Sequence, residues 1–244
     1  MLSIIIPAYN EEKYLGRLLR IIKEQTVQPG EIIVADNNST DKTVVVARKF
    51  GCRIVKGGNP AVGRTAGAKA SSGDILLFLD ADLTFKEKNF LKRILDYFRH
   101  RQNSIATVWF VSQDKNLLNK LVCLIANLTK RLNLIIARKW KTIIGDYGIF
   151  ILCPRSIFEK VGGFPSLKGY QEDTLFFRKA VKNGAKYTVL PEKIFISGRR
   201  LKNKSIFRLL FWAALCALVI ILSFLKLRVN NTILKWYEEM RKGR

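Results

Sequence analysis

Acidic residues are scarce in this chain. Its 19 Asp and Glu stand against 43 Lys and Arg, a formal net charge of +24 over 244 residues. A surplus of that size argues against a cationic partner and points to an anionic one: nucleic acid, an anionic membrane surface or a phosphorylated substrate. Cysteines are few and scattered. Cys52, Cys123, Cys153 and Cys216 form no C-x-x-C pair, which fits free thiols in a reducing compartment better than a disulfide framework or a zinc site. A P-loop and a G-x-G-x-x-G are both missing, so ATPase or dinucleotide chemistry has no support. The basic residues come without zinc spacing, an RNP-like aromatic run or a helix-turn-helix signal, so no nucleic-acid partner is expected. Internal repeats and low-complexity segments are absent as well. The first apolar run, in "MLSIIIPAYNEE", is too short for a signal peptide and lacks a basic lead, so a strand and its turn are expected there.

What is present is a chain that can build a core, with 48% hydrophobic and 11% aromatic residues. Up to about residue 112, short apolar runs alternate with amphipathic segments, the pattern of βαβ units and a mostly parallel sheet. "LSIIIP", "EIIVAD", "CRIVKG" and "DILLFLD" read as four strands. The last is apolar throughout and is expected at the sheet centre. Between them, "EKYLGRLLRIIKEQ" has helical spacing at Leu15, Leu18, Leu19 and Ile22. "STDKTVVVARKF" reads as a helix capped by Ser39 or Thr40, and "AVGRTAGAKASSG" as a helix packed close under a loop. A helix from Lys86 to Arg101 and the strand "SIATVWFVS" follow.

From Asn116 to Ile136, Leu118, Leu121, Ile125, Leu128, Leu132 and Ile135 recur at threes and fours, with Lys120, Lys130 and Arg131 between them. The pattern is an amphipathic helix with a basic rim and a break expected near Asn133. It either faces the core or lies on a membrane surface. "GDYGIFILCP" returns to strand, Arg155 to Val161 is a short helix, and "QEDTLFFRKAVKNGA" is a helix ended by Gly184. Beyond a basic linker, residues 199–208, "LLFWAALCALVIILSFL" runs from Leu209 to Leu225 without a charge. At ~1.5 Å per residue it spans about 25 Å, enough for a membrane helix, with bases on both flanks and a basic tail, residues 226–244, behind it.

Polar clusters follow each of the first four strands, where an open parallel sheet places its ligands. They are Pro7, Tyr9 and Glu11 after the first, Asp36 to Asp41 after the second, Arg64 on the segment after the third, and Asp80, Ala81 and Asp82 after the fourth. A D-x-D at a strand end sets two like charges close together and calls for a positive partner between them. One hard cation, Mg²⁺ or Mn²⁺, suits such a pair, because it binds through one or two carboxylates plus substrate phosphates.

Taken in order, "SIIIPAYNEE", "VADNNSTDKT", "GRTAGAKASSGDILLFLDAD" and "VGGFPSLKGYQEDTLFFRKA" resemble glycosyltransferase family 2 over about Met1 to Pro191. The resemblance implies the α/β GT-A fold, a Rossmann-like, mostly parallel sheet flanked by helices. It also implies transfer of a sugar from a nucleotide diphosphate sugar with inversion. On it, residues 1–112 form the nucleotide-sugar half and residues 113–198 the acceptor half of a catalytic domain spanning 1–198. Pro7, Tyr9, Glu11, Asp36, Arg64, Asp80 and Ala81 are then expected around the donor. Asp82 is the more direct metal ligand with Asp80 beside it, and Asp173 stands where the family has its general base. Gly163, Glu172, Arg199 and Arg200 are candidate contacts to acceptor or diphosphate. Where such families often read Asp-Asp-Gly-Ser, this chain has Asp36, Asn37, Asn38 and Ser39, and Asn tolerates the left-handed turn that glycine would take. The Q-x-x-R-W motif of processive synthases is missing, which implies single-sugar transfer.

The expected partners are a nucleotide-sugar donor, UDP- or GDP-linked, and a membrane lipid or lipid-linked acceptor, met at the cytoplasmic side of a membrane. If the nucleophile is a hydroxyl, Asp173 must act as base; if it is a polyprenyl phosphate, no base is needed. A basic nucleic-acid-binding protein and a non-catalytic membrane scaffold are the competing readings from other classes.

Overall fold

Seven strands pair into one sheet, most of them short apolar runs bounded by turn residues. The computed structural model describes residues 1–198 apart from 102, 147 and 166–171. Arg199, Arg200, the linker, the apolar stretch 209–225 and the tail lie outside the described residues. Among those described, no helix is long and apolar enough to cross a membrane.

The elements are β1 (Leu2–Ala8), α1 (Glu12–Lys23), β2 (Glu31–Asp36), α2 (Thr43–Lys49), β3 (Arg53–Lys56), α3 (Pro60–Ala70) and β4 (Ile75–Leu79). Then come α4 (Phe90–Arg99), β5 (Ser104–Ser112), α5 (Leu117–Trp140), β6 (Phe150–Pro154), α6 (Arg155–Val161), α7 (Glu172–Lys182) and β7 (Lys186–Ile196). The sheet order is β3-β2-β1-β4-β6-β5-β7. Strands β1 to β4 are parallel, β6 runs antiparallel to β4 and β5, and β7 is parallel to β5. The apolar strand β4 is central, as expected from residues buried on both faces.

Alternation along β1 divides the core. Ile4 and Ile6 join α1, α4 and α5 on one face, and Ile5 joins α3, α6 and α7 on the other. Each helix lends its apolar stripe; α1 buries Leu15, Leu18, Leu19 and Ile22 at the predicted spacing. The result is a three-layer α/β/α fold with the carboxyl ends of β1, β2 and β4 at one edge.

Three local expectations are corrected. Helix α4 begins at Phe90 rather than Lys86, since residues 86–89 form a turn ahead of it. Neither Ser39 nor Thr40 caps α2, which starts at Thr43; the Ser39 hydroxyl donates instead to Asp36. Helix α5 runs unbroken through Asn133, because that side chain satisfies itself outside the helix, accepting from Ile144 N–H and donating to the Gly145 carbonyl. Of the two placements open to this helix, the core-facing one does not hold for its apolar stripe: Asn119, Lys130 and Asn133 are buried, while Leu121, Leu128 and Ile135 are exposed.

Strand β7 was not legible as a strand. Pro191 interrupts its pattern, and the pairing with β5 slips there, from Val108 opposite Leu190 to Trp109 opposite Lys193. Proline cannot donate to the ladder, so the irregularity falls at that residue, on an edge strand.

Candidate functional site

Two loops at the sheet edge are laced together by short polar side chains. Asn10, in the left-handed region at φ 53°, donates its N–H to Ser39 Oγ and accepts from Thr40 N–H at 2.8 Å. Glu11 N–H donates to Thr43 Oγ1, and Asn37 N–H to the Ala8 carbonyl. Asp36, at the end of β2, accepts from the backbone and the hydroxyl of Ser39. Asn38 takes φ 55°, so asparagine does fill the position that calls for a left-handed residue. This lacing holds Tyr9, exposed, and the half-buried Glu11 beside Asp36. Pro7 lies one register step before Asp36's partner Ala8, against α3 at Gly63.

The second half of the site is built around Arg64 on α3, only 3% exposed. Its Nη2 donates to Asp80 Oδ1 at 2.9 Å and to the Gly148 carbonyl at 3.0 Å, and its Nη1 donates to Glu172 Oε1 at 3.0 Å. Phe164 lies under the guanidinium, 5.6 Å from ring centre to Cζ. One planar, always charged fork therefore ties together the ends of β4, α7 and the segment before β6. At Asp80 the positive partner that the D-x-D calls for is Arg64. Ala81 and Asp82 are buried next to it.

Asp173 opens α7 on the far side of that fork. Its carboxylate accepts from Gly148 N–H at 2.5 Å and from Thr174 N–H at 2.7 Å. Burial, reinforced by the neighbouring Glu172, pushes its pKa up to about 7, while Arg64 and the two amides pull the other way. A carboxylate poised there can take a proton near neutral pH. Glu172 itself is buried against Arg64.

Gly163 packs beside Thr65, the neighbour of Arg64. Gly162 and Gly163, at φ 81° and 82°, end α6 in a left-handed turn, and a Cβ on Gly163 would press on Thr65 of α3.

Sequence reasoning missed the support behind Asp173. Gly148 holds both Asp173 and Arg64, and the segment carrying it is clamped along its length. Thr174 exchanges hydrogen bonds with the Asp146 backbone, Arg178 donates to the carbonyls of Ile143 and Ile144, and Tyr187 donates to the Asp146 carboxylate at 2.5 Å. Lys130, 1% exposed, donates to the Val108 carbonyl, and burial lowers its pKa to about 7. The two glycines of "GDYG" were the one available signal, and they read equally well as a strand entry.

Among the described residues no three His, Cys, Asp or Glu side chains group to form a metal cage. Asp80 shares one carboxylate oxygen with Arg64, and Asp82 is buried beside it.

Loops gathered at strand carboxyl ends, with a buried arginine linking them to a helix-borne carboxylate, define an α/β protein with its ligand site at one sheet edge. The chain belongs to glycosyl transferase family 2, whose profile matches residues 3–162. It is 34% identical over 110 residues to the 4,4'-diaponeurosporenoate glycosyltransferase of Staphylococcus haemolyticus, and 36% over 106 residues to that of Staphylococcus aureus. These matches cover 41% and 40% of this chain but only 29% and 28% of the relatives, so under a third of their length is spanned. Among solved structures it resembles S. aureus TarS 1-349 in complex with UDP-GlcNAc, with a TM-score of 0.61 and 23% identity, covering 84% of this chain and 59% of that one. It also resembles the mannosyltransferase PcManGT from Pyrobaculum calidifontis, in complex with GDP-Man and Mn²⁺, with a TM-score of 0.62 and 19% identity, covering 80% and 56%. The expected GT-A fold is thereby shown.

Proposed function

We propose that this chain moves one sugar from a nucleotide diphosphate sugar, UDP- or GDP-linked, to a lipid-like or lipid-linked acceptor, by a single inverting displacement at the cytoplasmic face of a membrane. The observation that carries the reading is Asp173, a carboxylate held near neutrality and joined through Gly148 and Arg64 to the D-x-D. The donor class is supported by the fold neighbours that hold UDP-GlcNAc and GDP-Man. A lipid-like acceptor is supported by the name of the curated relatives, and membrane attachment by the uncharged run from Leu209 to Leu225.

In the displacement, the acceptor hydroxyl oxygen bonds to the anomeric carbon as the bond from that carbon to the phosphate oxygen breaks. The electron pair leaves with the nucleotide diphosphate. Asp173 takes the hydroxyl proton, and its two backbone donors fix the carboxylate's orientation. Arg64 keeps the donor-side loop and α7 in register. A divalent cation, Mg²⁺ or Mn²⁺, would be held by Asp82 and would offset the charge gathering on the departing diphosphate.

The test is a donor screen that follows nucleotide diphosphate release with membranes and Mn²⁺ or Mg²⁺ present. Metal-dependent release is expected for one donor, and Asp82→Ala is expected to abolish it while leaving the far-ultraviolet spectrum unchanged. Release by no nucleotide sugar, or full metal-dependent release by Asp82→Ala, overturns the reading.

A further inference from the structure

Helix α5 turns its apolar side outward. Leu117, Leu121, Leu124, Leu128 and Ile135 are 80%, 40%, 54%, 48% and 61% exposed, and Trp140 is 46% exposed. At about 3.6 residues per turn the four leucines and Ile135 share one side of the helix, while Trp140 sits at its carboxyl end off that row. The side packed toward the sheet is built instead of Asn119, Cys123, Ala126, Thr129, Lys130, Asn133 and Ile136. Either face could have been turned inward, and the one chosen buries a lysine and leaves the leucines in water. A contiguous exposed apolar stripe of this kind marks a surface made to be covered.

Charge decides what covers it. No Asp or Glu occurs between Leu117 and Trp140, and Lys120, Arg131 and Arg138 line one flank of the stripe, with Lys139 and Lys141 at its end, all exposed. A second copy of this chain would bring the same basic flank against it, and the stretch 209–225 is itself bracketed by bases. Both pairings set positive charge on positive charge. An anionic bilayer matches both features, apolar side chains to acyl tails and bases to headgroup phosphates.

We infer that α5 lies in the interface of an anionic membrane, leucines down, over a length of ~36 Å. Its purpose rests on the acceptor reading above. The helix leads directly into the segment that carries Gly148, and its Asn133 bonds that segment at Ile144 and Gly145, so docking acts on the support of Asp173. The docking itself needs no transfer chemistry.

Photocrosslinking in the full chain tests it. Leu124 or Leu128 is replaced by p-benzoylphenylalanine, and the protein is reconstituted in phosphatidylcholine vesicles with or without phosphatidylglycerol. Val45, 64% exposed on α2, serves as the control position. Lipid adducts are expected several-fold above the Val45 level, falling when phosphatidylglycerol is omitted. Adducts to residues 199–244 of the same chain, adducts between two chains, or lipid labelling no higher than at Val45 would each overturn the docking. Nucleotide diphosphate release, measured on the same vesicles, is scored apart. Labelling without release retires the transfer reading and sustains the docking, whereas release without labelling does the reverse.

Discussion

Arg64 stands buried between Asp80 and Glu172, and removing it strands two carboxylates in the interior. Arg64→Met is expected to lose about 3–5 kcal/mol of stability, the usual consequence of breaking a buried pair from one side. Arg64→Lys should lose less but still weaken the site, since a point charge cannot span both acids and the Gly148 carbonyl. Thermal unfolding of the two variants checks the order. Asp173 behaves oppositely. Its carboxyl keeps a proton in the folded chain up to about 7, whereas the unfolded chain loses it near 3.8. The contribution of this group to folding stability is therefore full below the lower value and is lost as pH rises through that window. Asp173→Asn removes the penalty, so its melting temperature should gain on the natural chain more at pH 8 than at pH 5. The same change should cut transfer to a hydroxyl acceptor by ~100-fold or more. Transfer by the natural chain should climb with pH and level off above about 7. Near-normal turnover of Asp173→Asn would instead favour an anionic lipid phosphate as nucleophile.

At the scale of elements, close packing of α3 on β1 depends on Gly67. A Cβ there would come within 2.4 Å of Ile5 Cγ2, in a strand residue with no room to move. Gly67→Ala is expected to destabilise by about 1–3 kcal/mol through overpacking, measurable by denaturant unfolding at unchanged slope. Strands β1 to β4 and the loops after them were readable from sequence because each signal is local: an apolar run, then turn residues. Three features were not. The face of α5 stayed open because helical spacing gives a stripe without saying which side meets the core, and buried Lys130 donates to the Val108 carbonyl. Strand β7 was hidden by Pro191 and its mixed polarity. The clamp on residues 143–148 joins positions far apart in the chain, so Tyr187 and Arg178 carry no local mark of their role.

For the molecule as a whole, a charge of +24 makes approach to an anionic surface a long-range event. Raising the salt shortens the screening length from about 8 Å at physiological ionic strength to about 3 Å at 1 M. Capture by phosphatidylglycerol vesicles should accordingly slow with added salt, as stopped-flow light scattering would show. Three layers of structure around one sheet leave β3 and β7 as its two ends among the described strands. The first is four residues long and starts and finishes with an exposed base; the second carries Pro191 and a slipped register. Neither offers a long flat row of free amides and carbonyls to a foreign strand. Relieving the second guard, by exchanging Pro191 for a residue that can donate, would turn that end into a template on which stray polypeptide could polymerise.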